Sequence, residues 1–521
     1  MPIRMEKDDP QPQSGGGGGG NSGGGGSNAL IKFLPLILMF LFKRPKLLIP
    51  ILLVGGVWYF FLGGNEMLSG GGGGATEEYD TSDFSLGASL NQEIYDRAKV
   101  FEPVSYGYSG QSGLPARASL AQYAPQRRHQ GKQGSCVGWA SAYAARTILE
   151  AETTGQNPNN VAFSPAYLYN QIALTGCQGA YMLEAMKTMQ QYGGLPFSQF
   201  RYDERTCNNE PSSSQKQMGA QFRIQGFDRL TVGASQYKPD LTGIKQHLAQ
   251  GYPVVIGMMV GGSFMGPMMG QPLWQPSQRD YGMPGFGGHA MCVIGYDDNM
   301  QGGAFQIMNS WGEEWGERGI GWVKYRDFEH FTKEAYGVYP VATQQDKSRM
   351  AVEFGLVDVN TKNTIGLFKK DDGSTFRTIK PIKKGDKFKV LVANSIECFI
   401  YVFGQETDGS SYVLFPYTEK HSAYCGITGT RVFPKDYSMT ADEIGNKDFI
   451  AIVVSKEEID FQQFNSRLNA SRAGDYAGKL RDALGNSRAT DLQFKAGKTV
   501  AFEANTESKS AVGMVIEIDK E

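Results

Sequence analysis

The chain predicts an α+β unit followed by a second, β-rich unit, and three features carry that prediction. Helical patterns come first, one running from Cys136 through Ala140, Ala144, Ile148 and Leu149, another from about Tyr181 to Tyr192. After Gly251 the texture changes to short β runs, PVVIGMMV, HAMCVIGY, AFQIMNSW and GWVKY, separated by glycine-rich turns. From about Met350 a further series follows, FKVLVA, CFIYVF, YVLF, FIAIVV, TVAFEA and VGMVIEI. Helices followed by strands argue for α+β architecture over residues 113–342. The later runs suggest a β-sandwich over 343–521, with a helix-favouring insertion between about Glu457 and Leu484.

The chain's 521 residues exceed one hydrophobic core. Of its 67 glycines, many lie in near-pure runs (15–20, 23–26 and 70–74) that cannot bury side chains, so residues 1–28 read as a disordered glycine-rich terminus. Two apolar runs follow, 29–42 and 47–62, separated by Lys43, Arg44, Pro45 and Lys46. They reach roughly 21 and 24 Å as helices, against a hydrocarbon core of about 30 Å. Residues 29–64 are therefore expected to be a membrane anchor, as one broken span or a hairpin. The positive-inside rule keeps the basic cluster cytoplasmic and, on a single crossing, sends everything after Leu62 to the periplasm or cell exterior. A retained anchor fits better than a cleaved signal peptide, because the cluster sits deep and no A-x-A site follows Leu62. Residues 65–112 show no sustained period and read as a linker or lead-in.

A formal net charge of −2 gives no basic field for nucleic acid, which is discounted as a partner. The six cysteines lack any C-x-x-C spacing, and no metal or cofactor site is expected. The Asp297 and Asp298 pair falls far short of a calcium loop and reads as a solvated turn.

The chemistry begins at Cys136. A thiol attacks a carbonyl as thiolate, and a cysteine in the first turn of a helix, with Ser135 available as N-cap, feels the positive end of the macrodipole. Five histidines are present, and His289 is the best placed as base, opening a β run directly after GFGG. Asn309 ends the next β run, where it can accept the ring proton, and Trp311 offers an apolar cover for that pair.

On these residues the chain resembles the papain family of cysteine peptidases. The segment HQGKQGSCVGWA is similar to the family's Gln-Gly-x-x-x-Ser-Cys block, which implies that Gln130 and the Cys136 N–H form an oxyanion hole. GGHAMCVIGYDD resembles the histidine strand and AFQIMNSWGEEWGERGIGWVKY the Asn-Ser-Trp-Gly block. Cysteine and histidine lie 153 residues apart, near the family's separation of about 130 to 150. GCQGAYMLEAMKTMQQYGG resembles the Cys-x-Gly-Gly stretch, implying that the Gly179 and Ala180 backbone pairs with extended substrate. Tyr181, Met182 and Ala290 would then border an apolar specificity pocket. The plant members' C-G-S-C-W becomes Q-G-S-C-V-G-W, so Gln133 replaces the cysteine that would bridge to Cys177. Cys177 and Cys207 are then candidates to pair with each other, as an extracytoplasmic site permits. No recognisable inhibitory pro-segment precedes Leu114. VLFP at Val413–Pro416 resembles a domain of unknown function behind bacterial papain-like domains, which suggests a bacterial source.

The remaining features read blandly. Cys292 is a core residue, and Cys398 and Cys425 are core residues or one disulfide. His129, His247, His330 and His421 read as surface residues. Met258, Met259, Met265, Met268, Met269 and Met283 form either a substrate wall or plain packing. The expectation is a membrane-anchored cysteine peptidase acting on peptides or proteins without a cofactor. Its rivals are a silent membrane-tethered scaffold and an acyltransferase, such as a transpeptidase, using the same thiol chemistry.

Overall fold

The computed structural model describes residues 3–8, 84–108, 113–233, 237–341, 348–490, 492–506 and 509–521. The expected anchor lies outside these residues. Among the described residues, no helix is long and apolar enough to cross a membrane.

The first core packs a helical face on an antiparallel sheet. Its central helix runs through Cys136–Gly138, a π-helical stretch Trp139–Arg146, and Thr147–Thr154, ending where Gly155 adopts φ 67°. Every residue from Gln133 to Leu149 is buried, which requires small residues on several faces. Gly138 shows why: a Cβ there would lie 2.6 Å from the Pro165 carbonyl oxygen of the neighbouring helix Pro165–Ile172. The one charge in this stretch, Arg146, is held by Glu150 at 2.7 Å and by the Phe222 carbonyl at 2.8 Å.

The sheet runs in the order Gly226–Arg229, Thr332–Tyr339, Val254–Val260, Gly287–Asp297, Ala304–Met308, Ile320–Lys324. The strand Gly287–Asp297 therefore lies inside the sheet, paired on both edges, and its first turn of chain delivers His289.

The second core is a sandwich of two sheets. One carries Tyr437–Ala441, Lys387–Asn394, Arg349–Asp358 and Val500–Asn505; the other carries Thr375–Thr378, Ala511–Asp519, Lys447–Ser455 and Cys398–Gln405. Alternating residues such as Phe354, Val390, Ile452 and Ile516 fill the space between them. The helices Phe461–Ala470 and Tyr476–Leu484 cover the outer face of the second sheet through Phe464, Leu468 and Leu480. Cys398 and Cys425 sit directly opposite each other on paired strands, buried and unbonded, so the alternative of a disulfide there is not realised.

Three stretches depart from the sequence reading. Residues Ile3–Lys7, placed in a disordered terminus by their glycine-rich surroundings, form an edge strand antiparallel to Tyr437–Ala441. Asp8 then accepts from Lys389 Nζ at 2.5 Å. The lead-in is equally ordered: Phe84–Tyr108 threads along both cores and buries Tyr95, Ala98, Phe101 and Val104. His247, expected at the surface, is fully buried, with Nδ1 2.9 Å from the Gly243 carbonyl and its ring against Phe101 and Tyr339. With the lead-in between them, the two cores and residues 3–8 form a single compact unit.

Candidate active site

Cys136 enters from a tight loop rather than a capped helix start. Ser135 has φ −99° and makes no side-chain cap bond. Its hydroxyl instead meets the Tyr202 hydroxyl at 2.6 Å, and Tyr202 in turn donates to the Gln130 carbonyl at 2.6 Å. This chain ties the Gln130 backbone to the residue before the thiol. The expected N-cap is thus replaced by a tyrosine relay.

Across the cleft, the N–H of Ala290 points at Cys136 Sγ at 3.4 Å, which puts the first turn of the histidine strand against the thiol. His289 Nε2 donates to Asn309 Oδ1 at 2.8 Å, and that oxygen also accepts the Ser310 N–H at 2.7 Å. Trp311 stacks on the imidazole, with ring centroids 4.3 Å apart and planes 22° from parallel. The ring is thereby fixed in plane and tautomer, and Nδ1 is left without a hydrogen-bond partner. Gln130 is oriented from the same block: Ser310 Oγ donates to its Oε1 at 2.6 Å, leaving Nε2 to face the cleft.

That amide is occupied. Gln130 Nε2 donates to the Ser85 carbonyl at 3.1 Å, and Trp311 Nε1 donates to the same oxygen at 3.1 Å. Phe84 lies edge-on against Trp311 with centroids 5.1 Å apart. Beyond it, the amides of Gly87 and Ala88 reach the Gly288 carbonyl at 3.2 and 3.0 Å. Ala180 N–H donates to the Gly87 carbonyl at 2.9 Å, and Ser89 N–H donates to Ala180 O at 3.0 Å. The segment Phe84–Ser89 therefore lies through the cleft as an added strand, in parallel register with Ala180. Ala180 does the pairing alone. Gly179 donates its N–H to the Tyr169 hydroxyl at 3.1 Å and accepts from Leu174 N–H at 2.8 Å. Gly179 serves instead by approach, since a Cβ there would lie 2.6 Å from Gly87 O.

Leu90 then turns into a pocket beside Met182 and Gly257, a cavity side that continues into a space of about 850 Å³ reached also by Met259, Met283 and Glu334. Met182 and Ala290 are buried as expected of pocket walls, and Tyr181 is half-buried. The pocket is not purely apolar. Glu334 is buried within it, accepts the Asn91 N–H at 3.1 Å, and is pushed up to about 7 by desolvation. Of the methionines, Met258, Met265 and Met268 are core, while Met259 and Met283 line this space.

Covering the cleft reverses the expected electrostatics. Cys136 and His289 are both fully buried. Burial pushes the thiol up to about 12, against the opposing N–H groups of Ala290, Val137 and Cys136 itself. Burial also pulls the imidazole down to about 4, with the Asn309 bond opposing. In this covered state burial favours the neutral form of each group, and the thiolate and imidazolium expected from the sequence belong to an open cleft.

Cys177 and Cys207 are joined in a disulfide. Among the described residues, no cluster of metal-ligating side chains occurs. The motif residues Cys136, Gln130, His289, Asn309 and Trp311 converge, whereas Ser310, Tyr202, Glu334 and the segment Phe84–Leu90 were not singled out in the sequence. Ser310 stood next to a chosen residue. In FSLGASL, Gly87 and Ala88 are small enough to lie against Gly134 and Gly288.

Residues 115–341 match the family model described as papain family cysteine protease. An uncharacterized peptidase C1-like protein, L477, of Acanthamoeba polyphaga mimivirus is 28% identical over 203 residues, 38% of this chain and 63% of the relative. Cathepsin K of Mus musculus is 27% identical over 203 residues, 38% of this chain and 55% of the relative. A cysteine protease of Blomia tropicalis is 28% identical over 251 residues, 46% of this chain and 68% of the relative. The chain thus spans 55% to 68% of the length of these curated relatives. The crystal structure of xylellain, a cysteine protease from Xylella fastidiosa, aligns at 22% identity and a TM-score of 0.41, covering 50% of this chain and 97% of that one. Over residues 115–341 the chain is similar in sequence to that family, and Gln130, Cys136, His289 and Asn309 all lie inside that segment.

Proposed function

We propose that residues 113–342 form a cysteine peptidase held latent by its own lead-in segment. The observation that carries this reading is the Ser85 carbonyl, which takes the Gln130 amide beside a thiol and an Asn309-oriented imidazole. A carbonyl held there takes up the Gln130 amide that an oxyanion would need. Once the segment leaves, water reaches the pair and the cost of charging it falls. Cys136 gives its proton to His289 and attacks the substrate carbonyl, while Gln130 Nε2 and the Cys136 N–H stabilise the oxyanion. His289 protonates the leaving amine and then activates water for deacylation, with Asn309 and Trp311 keeping the ring in place. Gly179 and Ala180 border the substrate backbone, and Tyr181, Met182 and Ala290 border its main side-chain pocket.

No observation favours acyl transfer over hydrolysis, and the occluded cleft accounts for silence without a loss of catalytic residues. Cys136→Ala should abolish peptide hydrolysis by released enzyme on a peptide library, and retained hydrolysis would reject the assignment. For location, we propose an extracytoplasmic, membrane-anchored enzyme of bacterial source. The Lys43 to Lys46 cluster and the disulfide support the side.

A further inference from the structure

We infer that the C-terminal sandwich is the retaining domain of this latent state, gripping the cleft-filling segment from the side opposite the catalytic core. The grip centres on Val100. Its neighbours face the catalytic core: Phe101 N–H donates to the Arg229 carbonyl at 3.1 Å, and Arg229 N–H donates to the Lys99 carbonyl at 2.7 Å. Val100 itself faces the sandwich, its N–H donating to the Lys420 carbonyl at 2.6 Å and its carbonyl accepting from Ser422 N–H at 2.9 Å. Residues 99–101 are thus one short strand hydrogen-bonded on both edges, one edge belonging to each domain.

The contact extends along the lead-in. Ser105 N–H donates to the Thr430 carbonyl at 2.7 Å, and buried Arg431 donates through Nε to the Glu102 carbonyl at 3.1 Å. Lys99 meets Glu458, and Lys420 lies 3.7 Å from Asp96. Asp96 is in turn the partner of Arg229 at 2.5 Å, which joins the helix Gln92–Tyr95, the catalytic sheet and the sandwich loop at one carboxylate. Tyr108 ends the run against Val357, Leu391 and Val432 of the sandwich. Only ten residues separate Val100 from Leu90 in the pocket. A strand that loses one of its two edges frays, and the cleft residues beyond it lose their anchor.

This role goes beyond the peptidase reading, and its test does not need turnover. Val100→Pro and Ser105→Pro each delete an N–H that donates to the sandwich and leave the bonds to Arg229 in place. In the full chain, each variant should raise the rate of Cys136 alkylation by iodoacetamide at least about tenfold. Hydrogen exchange at Gly87 to Ser89 should accelerate in parallel, while the strand Ala511–Asp519 stays protected. Unchanged alkylation and exchange in a variant whose sandwich remains protected overturns the inference. The unaltered chain supplies a second test. Ala180 N–H, bonded to Gly87, and Ser422 N–H, bonded to Val100, should show matched protection, and a Ser422 amide that opens while Ala180 stays fully protected contradicts the coupling. Faster alkylation without any peptide cleavage keeps this inference and rejects the peptidase reading instead.

Discussion

Ser310 holds the Gln130 amide by its oxygen and the Asn309 side chain by its backbone, so one residue aligns both the proposed oxyanion donor and the group bonded to the His289 ring. Removing its hydroxyl leaves Oε1 without that donor, while Nε2 keeps its bond to the Gln133 carbonyl at 2.9 Å. Ser310→Ala should lower kcat about tenfold with KM little changed, less than the roughly hundredfold loss expected for Gln130→Ala, which removes the donor outright. Steady-state kinetics on released enzyme separate the two. Most of this site was legible in the sequence, because thiol chemistry requires particular residue types and the blocks around Cys136, His289 and Asn309 contain them in order. Ser310 and Tyr202 were not legible as participants. A hydroxyl that orients another side chain carries no spacing rule, and Tyr202 reaches Ser135 from 67 positions away.

The lead-in is the element that sequence patterns hid. It contributes only a few residues to each edge it meets, two or three at Gly288 and Ala180, one at Lys420 and one at Thr430, so neither a period of two nor of 3.6 is sustained. Glycine is required at its narrowest point. A Cβ on Gly87 would fall 2.0 Å from the Gly134 carbonyl oxygen, in the loop that leads to Cys136, and that loop cannot yield without moving the thiol. Gly87→Leu should therefore expel the segment and speed Cys136 alkylation by about tenfold or more, as a clash costing 1–3 kcal/mol predicts. Alkylation followed by mass spectrometry reads this directly. The apolar runs of the sandwich strands, by contrast, were legible, as was a helix-favouring stretch between about Glu457 and Leu484; Lys447–Ser455 and Ala511–Asp519 are buried almost without alternation because helices cover their outer face. What the pattern could not show was that the five-residue run Ile3–Lys7 completes an edge of that sandwich, since five residues amid glycine carry little signal.

At the scale of the whole molecule, the two cores meet around buried acids. Glu102 is 3% exposed and is pushed up to about 7 by desolvation, with Lys435 and Arg431 opposing and Asp436 reinforcing the shift. Asp228, beside Tyr339, is raised to about 6 by the same cause. An acid with a raised folded pKa is held best in its protonated form. Its contribution is full below the ordinary carboxylate range and is lost as pH climbs through about 7 for Glu102. The latent assembly should therefore loosen between about pH 5 and pH 8, seen as weaker exchange protection of residues 84–105 after correction for intrinsic rates. Glu102→Gln, which cannot ionise, should flatten that dependence. The central claim, a Cys136 peptidase latent under its own segment, is tested most directly by peptide hydrolysis in the Gly87→Leu chain with and without Cys136→Ala. Turnover by the single variant and none by the double is the predicted result. Hydrolysis that survives in the double variant, or its absence in the single variant although Cys136 has become reactive to alkylation, would contradict it.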